Sequence, residues 1–173
     1  MPEYSRSFAQ KLAKTAKLVA ADGLMDPEAK RTVLYLSLLS TEISLKAMLE
    51  KAGMPISGIR QRSHDLAGLL CDVSRCEIEV QITADTKMYV AASRLRAYTL
   101  TFALSESTVG EVIDIASKQA SAYPSAIRYG EIPHHYPPEL VAQMAIEVAA
   151  FAKEHWQDIR IAPYPDLPSG KPP

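Results

Sequence analysis

Between Asp26-Pro27-Glu28 and Gly53 the chain carries one long helical pattern that nothing interrupts. Asp26 suits the N-cap, Pro27 the first helical position, where its missing N–H costs no hydrogen bond, and Glu28 the positive end of the helix dipole. Gly53 supplies the stop, because glycine reaches the left-handed conformation that ends helices. Inside these bounds Leu36, Leu39, Ile43, Ala47 and Glu50 fall along one line, flanked by Tyr35, Leu38, Leu45, Met48 and Leu49. One neighbour cannot cover so wide an apolar face, so the segment is predicted to be a central helix packed on several sides.

The segments around it repeat the helical period. Residues 4–22 place Phe8, Leu12, Ala16 and Val19 at packing positions, with Lys11, Lys14 and Lys17 on the surface and Asp22-Gly23 as the end. After a Gly/Pro loop over 53–62, Ser63 is placed to cap a short helix reaching Val73. Residues 77–82 alternate polar and apolar, which alone is a strand pattern; a single strand has no partner, so the stretch is expected as extended linker. Further helices are expected over 86–104, with Tyr89, Ala92, Leu95 and Tyr98 among the packing positions, over 108–122, and over 138–157, where Leu140, Met144, Val148 and Phe151 recur. Five or six helices with short connections and no βα alternation imply an all-α, up-and-down antiparallel bundle over residues 1–158. The five prolines of residues 159–173 imply an extended tail suited to docking on a partner.

At 173 residues with 47% hydrophobic and 23% charged content, the chain suits one domain with a substantial core. A net charge of −1 gives no global attraction to nucleic acid, so any such contact must come from a local cluster. Cys71 and Cys76, the two cysteines present, fit no zinc spacing and are expected as reduced thiols. No secretory apolar region opens the sequence, and no uninterrupted apolar run approaches the ~18 residues that cross a bilayer. A soluble cytoplasmic protein without a membrane contact is the expectation, as is the absence of metal and cofactor.

Chemistry-bearing residues concentrate in residues 38–70. Glu42 and Lys46 form an i,i+4 pair, worth only ~0.2–0.5 kcal/mol on an exposed helix. On this wide-faced helix Glu42 is expected to be partly buried, which forces it to find a partner; Arg60, Arg62 and Arg128 are candidates. Arg60 and Arg62 stand beside a helix start, a natural anion site. His64, between Ser63 and Asp65, is either a proton-transfer group or a ring packed under the loop, and the second reading carries more weight. The His134-His135 pair lacks a carboxylate or thiol at ligand spacing and is read as loop decoration.

Three pieces occur in the order found in the HEPN superfamily of nucleotide-binding helical domains: Ser40-Thr41-Glu42-Ile43-Ser44-Leu45-Lys46-Ala47, then Ser63-His64-Asp65-Leu66 with Leu69-Leu70, then Ala122-Tyr123-Pro124 with Ile127-Arg128-Tyr129-Gly130. The chain resembles that superfamily over about two-thirds of its length. The resemblance implies a helical bundle, often dimeric, whose members accompany nucleotidyltransferases, sit in toxin–antitoxin pairs, or cut RNA without a metal. In the cutting members an arginine precedes a catalytic histidine by four to six intervening residues at a helix start. Here Arg60 and His64 have three residues between them, and Arg128 and His134 have five but lie in a loop.

The resemblance together with this departure favours a non-catalytic HEPN-like domain, expected as a homodimer, that binds a nucleotide, a nucleic acid or a protein partner such as a nucleotidyltransferase. Glu42, Lys46, Arg60, Arg62, His64 and Arg128 would line its polar cleft. The rival readings are a metal-independent endoribonuclease using His64 with Arg60 or Arg62, and a purely structural interaction module.

Overall fold

The central helix forms as its end signals dictate. The computed structural model describes residues 2–103, 105–118, 122–130 and 136–162. Helix α1 spans Arg6–Asp22 and α2 spans Pro27–Ala52. The Asp26 carboxylate accepts from Glu28 N–H, Pro27 opens α2, and Gly53 closes it at φ 102°. Helices α3 (Ile56–Gln61) and α4 (Leu66–Ser74) follow. The cap of α4 is Asp65, which accepts from Gly68 N–H, while Ser63 stands outside the helix at φ 47°.

The expected all-α bundle does not hold. Among the described residues five strands form two sheets. Of residues 77–82, expected as linker, all but the last fall on strand β1 (Cys76–Gln81), and the helix expected over 86–104 is instead β2 (Lys87–Ala91), a 3-10 helix (Ala92–Ala97) and β3 (Thr99–Phe102). β3 pairs with β4 (Ser105–Thr108) as a hairpin ahead of α5 (Val109–Lys118). A kinked turn, Ala122–Ala126, contains a cis Tyr123–Pro124 bond, and then come α6 (Pro138–Glu154) and β5 (Ile159–Ile161).

The reason for the correction is non-local pairing. The 77–82 alternation is a genuine strand signal whose partners come from elsewhere, with Ile78 opposite Val90 on one side and Ile159 on the other. The sheet order is β2-β1-β5, all antiparallel, so the first residues of the proline-rich segment are tied to β1. Residues 163–173, most of the expected tail, lie outside the described residues, as do His134 and His135.

Two packing regimes build the interior. Where α1, α2 and α6 meet, the buried residues are small: Ala13 of α1 packs with Ala145 and Ala149 of α6, Ala16 with Ala142 of α6 and Val33 of α2, and Ser37, Ser40, Thr41 and Ser44 of α2 are fully buried as well. Small side chains let the backbones approach closely enough for Ser40 Oγ to donate to the Ala9 carbonyl at 2.8 Å. Around the other side of α2 the core is large, with Leu45, Met48, Leu49, Leu69, Leu70, Leu95, Leu100, Ile113 and Phe151 all under 2% exposed. Helix α2 is long and apolar enough to cross a bilayer, but 72% of its most apolar window is buried inside the fold. It is packed as a core helix. Cys71 and Cys76 are both free thiols.

Candidate functional site

Helix α2 carries polar residues along one line of its surface at helical spacing: Arg31, Tyr35, Glu42, Lys46 and Glu50. Several of them hold other parts of the chain onto the helix. Glu50 accepts from the backbone N–H groups of Glu3 and Tyr4 at 2.8 and 2.9 Å. Arg31 donates to the carbonyls of Ile127 and Arg128, and Arg128 in turn donates to the Tyr35 hydroxyl at 2.8 Å. Glu42 and Lys46 hold the centre.

The Glu42 carboxylate is 5% exposed and fully engaged. Oε1 accepts from Lys46 Nζ at 2.7 Å. Oε2 accepts from Tyr123 Oη at 2.7 Å and lies 3.0 Å from His64 Nδ1. Burial alone would raise this carboxyl's pKa, but the hydrogen bonds from Lys46, His64 and Tyr123 outweigh it and hold the group below the usual carboxylate range. A carboxylate can only accept, so His64 carries its hydrogen on Nδ1. Half of the His64 side chain remains exposed.

The rings close the cluster. Tyr123 meets His64 edge-on with centroids 5.8 Å apart and tilts against Tyr35 at 6.1 Å. Burial, with the Glu42 charge beside it, raises the Tyr123 hydroxyl well above the usual phenol range, so it stays a donor. Lys46, itself 7% exposed, has its ammonium 5.5 Å above the Tyr4 ring. The i,i+4 pair is therefore a buried one, in which loss of either partner costs about 3–5 kcal/mol rather than a few tenths.

The two loop arginines turn elsewhere. Arg62 makes a bidentate pair with Asp72 of α4, at 2.6 and 2.9 Å, and this pairing raises the guanidinium's pKa. Arg60 makes a bidentate pair with Glu3, at 3.0 and 2.6 Å, which lowers the Glu3 carboxyl. The start of α4, expected as an anion site, is filled by the chain's own Asp65 carboxylate. Of the six residues expected to line a cleft, the structure thus brings Glu42, Lys46 and His64 together and sets Arg60, Arg62 and Arg128 on Glu3, Asp72 and Tyr35.

Tyr123, Tyr4 and Tyr35 are members to which sequence reasoning gave no role in the site, Tyr35 having been read only as a packing position of α2. Tyr123 stands inside the Ala122-Tyr123-Pro124 piece of the resemblance, yet its partner is 81 positions away and no local signal links the two. Among the described residues no group of three His, Cys, Asp or Glu side chains is placed to hold a metal ion. No family model, curated protein or solved structure matches the chain.

Proposed function

We propose that the chain is a HEPN-like binding module, acting as a homodimer on a nucleotide, a nucleic acid or a partner protein, rather than an enzyme. The observation that carries this reading is the closure of charge around His64. Its Nδ1 and the Lys46 ammonium are both taken up by Glu42, and the two arginines nearest it in sequence are each committed to a carboxylate. A phosphate-cutting site needs a cation free to meet the charge that develops on the phosphoryl oxygens. The Glu42 cluster instead acts as a clasp that fixes the loop before α4 and the turn at Tyr123 onto α2, and so shapes the surface above them.

The nuclease reading keeps one specific observation in its favour. A carboxylate that orients imidazole through Nδ1 leaves Nε2 for proton transfer, and half of the His64 side chain is exposed. An RNA cleavage time course at neutral pH with chelator present separates the two. The binding module gives negligible cleavage in both wild type and His64→Ala. Cleavage by wild type that vanishes in a folded His64→Ala variant overturns it.

A further inference from the structure

Beyond the Glu42 cluster, we infer that the outward face of α1 is a docking surface for single-stranded nucleic acid. The argument begins with where positive charge is left unspent. Arg31, Lys46, Arg60, Arg62, Lys87, Arg96 and Arg160 each pair with a carboxylate. Lys30, Lys51 and Lys153 are outside any ion pair among the described residues, but they stand on α2 and α6, which carry carboxylates of their own; helix α1 is different. From Arg6 to Ala21 it holds Arg6, Lys11, Lys14 and Lys17 and no carboxylate, and none of the four is in an ion pair among the described residues. In a chain of net charge −1 this is a marked local excess.

The helix is also turned so that its alanines face inward and two large apolar side chains face out. Ala9, Ala13 and Ala16 are fully buried, whereas Phe8 is 50% and Leu18 71% exposed. Phe8, Lys11 and Leu18 lie on one face at helical spacing, with Lys14 beside them, over about 15 Å of helix. Lysines for phosphates with an exposed aromatic ring for a base is the combination that holds single strands. A second copy of the chain does not suit this face, because two-fold packing would set lysine against lysine. Lys17 sits at the flank, across a shallow groove from Glu139 and Glu147, and Asp22 closes the face at its end.

The test is fluorescence anisotropy of the full chain with labelled RNA and DNA single strands of mixed sequence. Three lysine–phosphate contacts predict a log–log salt slope near −2, which is roughly a 20-fold loss of affinity from about 50 to 200 mM salt. The variant K11E/K14E/K17E, checked for a wild-type melting curve, should lose at least about tenfold in affinity and flatten that slope. Phe8→Ala should weaken binding about 5- to 150-fold without changing the slope. Wild-type binding that survives the triple variant overturns the assignment of the face while leaving the binding-module reading intact. Absence of binding to both strands overturns the inference outright. Lysine-dependent uptake instead by phosphatidylserine/phosphatidylcholine vesicles does so too, and reassigns the face to a lipid surface.

Discussion

Tyr123→Phe isolates one bond of the Glu42 cluster. The substitution keeps the ring that packs on Tyr35 and His64 and deletes only the hydroxyl that donates to Glu42 Oε2 at 2.7 Å. The acceptor is charged and 5% exposed, so water cannot readily replace the lost donor. Hydrogen bonds to charged groups contribute about 1.5–3 kcal/mol, and this is the expected loss of stability at neutral pH. For a chain of this length that corresponds to a fall of roughly 3–12 °C in Tm. The pH dependence follows from the sign of the Glu42 shift. Its pKa is lower in the fold than the ordinary 4.5, so its contribution is fully present above that pH and disappears as pH falls through the folded value. The variant has lost one of the bonds that lower the pKa, so the gap between wild type and variant should close in acid. Urea unfolding at several pH values measures both quantities. A difference below about 0.5 kcal/mol at neutral pH, or one that persists unchanged in acid, refutes the claim that the hydroxyl serves the carboxylate.

Three further outcomes are expected. Arg62→Ala leaves the Asp72 carboxylate, 8% exposed, with Arg75 at 3.7 Å as its remaining cation, and should cost about 1–3 kcal/mol in urea unfolding. Cys76 is buried and its thiol is raised to about 11, whereas Cys71 is exposed, so iodoacetamide near pH 8 followed by mass spectrometry should label Cys71 at once and Cys76 only on unfolding. His155 is buried at the end of α6, where it accepts from Arg94, and burial together with that guanidinium lowers its pKa below 6.5. The unfolded chain therefore takes up this proton first, and stability should fall as pH drops below about 6.5; His155→Gln should flatten that limb of a stability–pH curve measured by thermal melting.

How much of this fold was legible depends on whether a signal was local. The ends of α2 were, because Asp26, Pro27 and Gly53 act within a few residues of themselves. The strands were not. The alternation at 77–82 was visible, but its meaning depended on Ile159 and Val90, and β2 and β3 sit in a stretch whose leucine and alanine residues also fit a helix. Helix α1 shows a subtler failure. Periodicity identified a helix and pointed to Phe8, Leu12, Ala16 and Val19 as its inner face; Ala16 is buried there, but Phe8 is half exposed, and Ala9 and Ala13, one position from Phe8 and Leu12, are buried instead. The hydroxyl and alanine faces of α2 and α6 leave room only for small side chains there, so close approach decided the rotation rather than side-chain size.

The same distinction separates the parts of the site. Glu42 and Lys46 were legible because four residues of helix bring them together, and the width of the surrounding apolar face pointed to partial burial of Glu42, which would then need a partner. Which partner could not be read. Arginine is the commoner companion of a buried carboxylate, and three were available, but each already had a nearer acceptor: Glu3 for Arg60, Asp72 for Arg62 and the Tyr35 hydroxyl for Arg128. The carboxylate was left to a lysine on its own helix and to two donors of lower charge, His64 and Tyr123. That allocation changes what the basic loop means. Positive charge that looks free in sequence is taken up by the chain's own carboxylates at Arg60 and Arg62, while the lysines of α1, which read as an ordinary solvated face, have no carboxylate within ion-pair reach among the described residues. Capacity for an anionic partner therefore follows from where the acids fold rather than from where the cations occur in the chain, which is why α1, the helix with the plainest sequence, keeps its lysines outside any ion pair among the described residues.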